Sequence, residues 1–390
     1  MNQTHIGQRV KALREARGMK QDDLKDLLGL NSRQSVAQIE AGIRRLTAQE
    51  LITLLKHFGE SLERLTNPFL LMGKSAFSWR QCGVSQDQLS AFEDRAGEWI
   101  GAYRSLSGLG SARLSKFLPN TRLTYTSAFE DAARVGEVVA AEMELGERPA
   151  FQLAQVMESK LDILVLMVDA AAGISGAACQ LPELNAVLIN RNESFARRNS
   201  DLAHEFFHLL TWNEMRPAHV ESPDAIWDAP RVHHTQKADR NQRIEQLADN
   251  FASGLLLPSW SLDRIGKPHG DLAQWLTEAA KFLGVSSRNL KWRLVNSKRC
   301  PELEAVRELD LVAAGRAQAA APRQEDKPLL FSRPFMTTIV KAVEQGHLSG
   351  RRAAALLGME RDVIGDLCEA YGLQRPVELG GRCIVETATA

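Results

Sequence analysis

The segment Asp201-Leu-Ala-His204-Glu205-Phe-Phe-His208 sets two imidazoles four residues apart, with a carboxylate beside the first. On a helix, positions i and i+4 lie on one face about a turn apart, so both rings can bind one metal ion. Glu205 is then placed to act as general base on a metal-activated water. A second run, Arg243-Ile-Glu245-Gln-Leu-Ala248-Asp249-Asn-Phe251-Ala252, repeats the i, i+4 spacing with two carboxylates. Glu245 would complete a tetrahedral two-His, one-Glu catalytic zinc site, leaving the fourth position to water. Asp249 would accept the other ring N–H of a ligating histidine and fix its tautomer. The chemistry such a set supports is metal-assisted hydrolysis, with one Zn2+ per chain.

The elements that must hold these groups are legible in the pattern. Asp201, His204, Glu205 and His208 form a polar stripe, while Leu202, Phe206, Leu209 and Leu210 are apolar, which predicts a buried helix over 196–212 facing a cleft. Ile244, Leu247, Ala248, Phe251 and Leu255 are the core stripe of a helix over 243–257. A further amphipathic helix is expected over 127–145. Residues 161–168 (LDILVLMV) and 186–190 are strand candidates, separated by a Gly173-Ile-Ser-Gly176 turn and a turn at 182–185. The strand at 186–190 is expected to pair with substrate backbone by β-augmentation. His233 and His234 are candidate oxyanion stabilisers. Cys179 is a candidate regulatory thiol that would occupy the water position on zinc.

The first ~70 residues read differently: five short helices closed by Gly18, Gly29 and Gly42, with Thr47-Ala-Gln-Glu50 as a capping box. Short helices with a tight turn between the second and third are the geometry by which one helix enters a major groove. The third helix offers Ser32, Arg33, Gln34, Ser35 and Gln38 to base edges, while Gln21, Lys20, Arg44 and Arg45 are placed for phosphates. Residues 1–74 carry twelve Lys/Arg and eight Asp/Glu, a net of +4, and the remainder is −4. The formal charge of zero (48 Lys+Arg, 48 Asp+Glu) therefore excludes a uniformly polycationic binder but not a basic module.

With these residues on the page, two resemblances emerge. The string RVKALREARGMKQDDLKDLLGL…VAQIEAGIRRLTAQELITLLKHFG, over about 6–67, resembles the XRE (Cro/C1-type) helix-turn-helix domains. It departs from their pattern at Lys25 and in a longer turn at 30–34. The pieces GISG (173–176), VLINRNES (187–194), LAHEFFH (202–208) and E-x-x-A-x-x-F-A-x-x-L-L-x-P (245–258) resemble the ImmA/IrrE-type metallopeptidases over about 127–298. Phe207 stands where that family usually has glycine, and Asp249 where asparagine is common. The resemblance implies His204, His208 and Glu245 as zinc ligands and Glu205 as catalytic base. It also implies a homodimer on a double-stranded operator, and cleavage of a helix-turn-helix repressor, the chain itself or a partner, in a stress or phage-defence response. The alternative is a non-proteolytic DNA-binding repressor or antitoxin whose zinc site is structural or sensory.

Composition agrees with a mainly α protein with a small β-sheet (α+β). Apolar residues make 44% and charged residues 25% of 390, as in ordinary globular chains. Five scattered cysteines (Cys82, Cys179, Cys300, Cys368, Cys383) give no disulfide framework, and the first twenty residues have no apolar signal segment. Together they predict a cytoplasmic protein with no membrane partner. The expected domains are a helix-turn-helix bundle at 1–72, a helical connector at 73–126 and a peptidase domain at 127–300. A helical C-terminal region follows at 301–390, with a linker at about 317–327.

Overall fold

A computed structural model of the chain describes residues 3–67, 69, 71, 77–107, 118–119, 121–221, 240–318 and 327–380. The N-terminal bundle comprises α1 (Gln3–Ala16), α2 (Gln21–Leu27), α3 (Arg33–Glu40), α4 (Ala48–Phe58) and α5 (Leu62–Thr66). Its core is its own: Val10, Leu24, Val36, Ile39, Leu54, Phe58 and Leu65. Local chemistry sets the helix ends. Ser32 accepts from Ser35 N at the start of α3, and the Thr47/Glu50 capping box opens α4 as its sequence demands.

The rest is built around one sheet. Its strands are β1 (Phe77–Gln81), β2 (Leu164–Val168), β3 (Ile174–Leu181), β4 (Leu184–Asn190) and the two-residue β5 (Val220–Glu221), in the order β2-β4-β3-β1-β5. Antiparallel pairing joins β3 to β4 and β1 to β3, while β2/β4 and β1/β5 are parallel. Residues 77–81, expected within a helical connector, are thus a strand of the sheet. The alternation in FSWRQ covers only Phe77 to Arg80, the shortest run that reads as a strand, and is easily passed over beside the long helical pattern that follows. The strand expected from 161 begins at Leu164, because Asp162 takes a left-handed conformation (φ 54°) and ends the preceding helix.

The sheet is covered on both faces. Helices α6 (Gln86–Leu106), α7 (Phe129–Glu142), α8 (Leu153–Leu161), α9 (Phe195–Thr211) and α10 (Arg240–Leu256) come first. They are followed by α11 (Ser259–Arg264), α12 (Leu272–Leu283), α13 (Ser287–Asn296), α14 (Glu308–Gln318), α15 (Arg333–Glu344), α16 (Gly350–Leu357) and α17 (Arg361–Ala370). One core joins Val165, Ala178 and Val187 to side chains of α7 to α14. The other joins Leu164, Leu166, Trp79, Ala177 and Cys179 to α6 and α15 to α17. The C-terminal helices are therefore a layer of the fold: Trp99 Nε1 donates to Leu356 O at 3.0 Å, and Arg95 to Leu357 O at 3.1 Å.

Two glycines set the depth of α10. A Cβ at Gly254 would lie 1.9 Å from Ala133 O, and one at Gly136 would lie 2.3 Å from Phe251 O. Only hydrogen there lets α7 and α10 touch backbone to backbone. The β-augmentation expectation is corrected. β4 is an interior strand, paired on both edges by β2 and β3, and it has no free backbone row to offer a peptide. Among the described residues, no helix is long and apolar enough to cross a membrane.

Candidate metal centre

Helix α9 enters the core behind Ser194, whose hydroxyl accepts from Arg197 N. From Arg198 to Thr211 every residue is buried, so its polar stripe must find partners inside the protein. It does. His204 Nε2 lies 3.0 Å from His208 Nε2 and 3.0 Å from Glu245 Oε2, and His208 Nε2 is 3.6 Å from the same oxygen. His204 Nδ1–H donates to Asp249 Oδ1 at 2.9 Å, since a carboxylate only accepts. That bond leaves the Nε2 lone pair facing His208 and Glu245.

With both rings neutral, two imidazole nitrogens and a carboxylate oxygen are directed at one another, and no choice of tautomer satisfies all three contacts. A cation does. Spacings of 3.0–3.6 Å match the ~3.3 Å between neighbouring donors of a tetrahedral ion bound at about 2.0–2.1 Å. Among the described residues Glu245 Oε1 is buried without a hydrogen bond, a further sign that this carboxylate is built for something other than protein donors. The residues present fit a divalent metal, and His204, His208 and Glu245 form the cluster able to hold it.

Glu205 follows His204 on α9 and is fully buried. It lies against β3 at Gly176, where a Cβ would sit 3.7 Å from Glu205 Cγ and 2.8 Å from Leu188 O. The last glycine of GISG therefore makes room for the Leu188 carbonyl of β4, and the first, Gly173 (φ 96°), makes the turn before the strand. Phe207, the departure from the usual glycine, fills the gap between helices: its ring is 5.4 Å from Phe251 and 5.8 Å from His208.

Sequence reasoning missed one residue of this neighbourhood. Arg80, on β1 and buried, reaches Asp201 Oδ1 (3.4 Å from Nε) and Asp249 Oδ1 (3.7 Å from Nη2). Asp201 is also held by Arg197 at 3.0 Å. Only the alternation of β1 hints at it, with Phe77 and Trp79 to one core and Ser78 and Arg80 to the other face.

Cys179 is corrected. It is the register partner of Phe77 and packs in the core on the face of the sheet turned away from α9. Complete burial, helped by the negative charge of Glu93, drives its thiol far above the usual range. It has neither the direction nor the thiolate to reach the metal cluster. His233 and His234 lie outside the described residues.

In the N-terminal bundle, Ser32, Arg33 and Gln34 are exposed at the start of α3, with Ser35 and Gln38 half-buried behind them. Lys20 and Arg45 are exposed as well. Gln21 is committed inside the fold, donating to Glu40 at 2.8 Å and accepting from Arg33 at 3.0 Å. Arg44 forms a two-pronged pair with Glu50 at 2.7 and 3.1 Å. That pair holds the Glu50 carboxyl below its ordinary range, chiefly through the hydrogen bond from Arg44.

Comparison with known families agrees with this division. Residues 10–65 match the Helix-turn-helix family, and residues 158–294 match the family described as IrrE N-terminal-like domain, which contains all three cluster residues. No curated protein matches the chain. Fold and site define a DNA-binding regulator with a protease-like domain. More particularly, the chain fuses an XRE-type helix-turn-helix domain to an ImmA/IrrE-type metallopeptidase domain.

Proposed function

We propose that the protein is a zinc-dependent endopeptidase tethered to DNA, which cleaves a repressor-type protein, itself or a partner, and so relieves repression in a stress or phage-defence response. The reading places it in the cytoplasm as a homodimer on a double-stranded operator. The observation that carries it is the convergence of His204 Nε2, His208 Nε2 and Glu245 Oε2, with Glu205 as the next residue on the same helix. Held by His204, His208 and Glu245, zinc would supply polarisation of the scissile carbonyl. Glu205 would take a proton from the attacking water as its oxygen adds to the carbonyl carbon, and would give it to the leaving nitrogen as the C–N bond breaks. Asp249 keeps the His204 ring in the tautomer that presents Nε2. The bundle supplies location: exposed Ser32, Arg33 and Gln34 read base edges, and exposed Lys20 and Arg45 meet phosphates. Mass spectrometry of zinc-loaded protein incubated with repressors encoded nearby tests the reading. New peptide termini are expected with wild type and none with Glu205→Gln; cleavage that survives the substitution overturns it. DNA affinity should fall steeply with salt.

One observation favours a second reading. His204, Glu205 and His208 are at most 1% exposed and Glu245 is 4% exposed, a closed environment that suits a structural or sensory metal. In that case metal removal abolishes folding or DNA binding, and Glu205→Gln changes nothing in cells.

A further inference from the structure

Resting on the reading of the cluster as a metal centre, we infer that Arg80 is its positioning residue, so that the centre is completed by a strand outside the matched peptidase segment 158–294. Asp249 Oδ1 takes the Nδ1–H of His204 at 2.9 Å, and the same oxygen is paired with Arg80 Nη2 at 3.7 Å. The guanidinium thus holds the carboxylate that holds the ligand.

The strand that carries Arg80 is paired on both edges. β1 is registered against β3 from Phe77 to Arg80, with a register shift before Gln81, and against β5 at Trp79 and Arg80. On the far face Trp79 is buried and its Nε1 donates to Glu93 at 2.6 Å. The register partner of Arg80 is Gly176, the glycine that also lies against Glu205. Arg80 and the base-bearing turn of α9 therefore flank one point of the sheet.

Charge gives the same answer. Asp201, Glu205, Glu245 and Asp249 are four buried carboxylates, and among the described residues Arg80 pairs with Asp201 and Asp249 and Arg197 with Asp201. A divalent ion brings that set to formal neutrality, whereas without Arg80 an excess negative charge stays buried, which is costly. Loss of the Arg80 cation weakens the hold on the Asp249 carboxylate, and with it the bond that aims Nε2 of His204.

Zinc affinity of the full-length protein, measured by competition with a chromophoric chelator, tests this without recourse to catalysis. Arg80→Gln should weaken zinc binding about 10–100-fold, the usual cost of losing an outer partner of a ligand. Because Arg80→Gln alone leaves Asp201 with Arg197 as its one described cation and endangers folding, Arg80→Gln combined with Asp201→Asn removes the charge pair together, and the same loss is expected. In an Asp249→Asn background, Arg80→Gln should add less than about threefold, since both act through one carboxylate. Wild-type affinity in the folded double variant overturns the inference, as does a full additional loss in the Asp249→Asn background. If wild type itself binds no zinc, the metal reading fails instead, so the two failures are distinguishable.

Discussion

Two arginines, Arg14 in the N-terminal bundle and Arg80 in the sheet, are both buried and both meet carboxylates, yet their networks end differently. Arg14 donates to both oxygens of Glu40, at 2.6 and 3.3 Å, and to Met19 O at 2.8 Å. Gln21 closes the set on Glu40 at 2.8 Å. Every donor there finds an acceptor, and α1, α2 and α3 are tied together by it. The network of Arg80 runs through Asp249 and His204 to three electron-rich atoms facing one another. A buried ion network that closes on itself is scaffold; one that ends in converging lone pairs is a receptor for a cation.

The largest effect that would break this comparison comes from the open end. His208→Ala removes a direct donor and should cost well over 100-fold in zinc affinity, beyond the about 10–100-fold loss of an outer partner. Chelator competition measures it, and unfolding of the bundle, followed by denaturant, should be unchanged. Glu205→Gln should keep zinc and lose about 10²–10⁴-fold in cleavage rate, the range for a lost general base. Retention of zinc by His208→Ala would remove the distinction drawn between the two networks.

The closed network should show the reverse pattern. Glu40→Gln leaves the buried Arg14 with only the exposed Glu15 carboxylate at 3.2 Å, and breaking such a buried pair costs about 3–5 kcal/mol. Guanidinium titration of the bundle reads that cost, while zinc affinity stays at the wild-type value. Arg14→Met with Glu40→Leu removes both charges and should recover most of the loss. A bundle indifferent to Glu40→Gln would mean the pair contributes nothing to its fold.

Sequence reached the receptor more readily than its support. His204 and His208 lie on one helix, where the 3.6-residue period alone puts them together, and Glu245 and Asp249 share a face for the same reason. The resemblance supplied the order of the pieces. Arg80 was illegible because its partnership depends on strand register across a long stretch of chain, which no local pattern encodes. The fate of Cys179 was hidden for a related reason: side chains alternate faces every residue, so its position after GISG does not say which core it enters. Likewise the helices α15 to α17 were legible as helices, but nothing in SGRRAAALLG announces that they cover the second face of the sheet.

A half-buried acid outside both networks sharpens the comparison at smaller amplitude. Among the described residues Glu158 has no ion pair to an arginine. Burial pushes it up to about 7, more than the Ser332 hydroxyl and the Val165 N–H offset. A carboxyl with a raised folded-state pKa binds more protons folded than unfolded between the two values. Stability contributed there is present at low pH and is lost as pH rises from about 4.5 toward 7. Glu158→Gln should flatten that slope and leave the variant more stable above neutral pH by about 1–3 kcal/mol. Thermal melts from pH 5 to 8 check it, and an unaltered slope would show that Glu158 is solvated.

The smallest expected effect bears on the two faces of the sheet. Cys179 and Ala178 are neighbours on β3, but Ala178 packs with α9 and Cys179 with the opposite layer. Cys179→Ala removes one buried sulfur from a packed core and should cost about 1 kcal/mol, near the low end for large-to-small changes. Zinc affinity should not move, because Cys179 packs in the core on the face of the sheet opposite α9. Peroxide treatment of zinc-loaded wild type should likewise leave the metal in place, with Cys82, which is exposed, oxidised first. Release of zinc that depends on Cys179 would mean that the sheet separates its faces less completely than the packing of β3 demands.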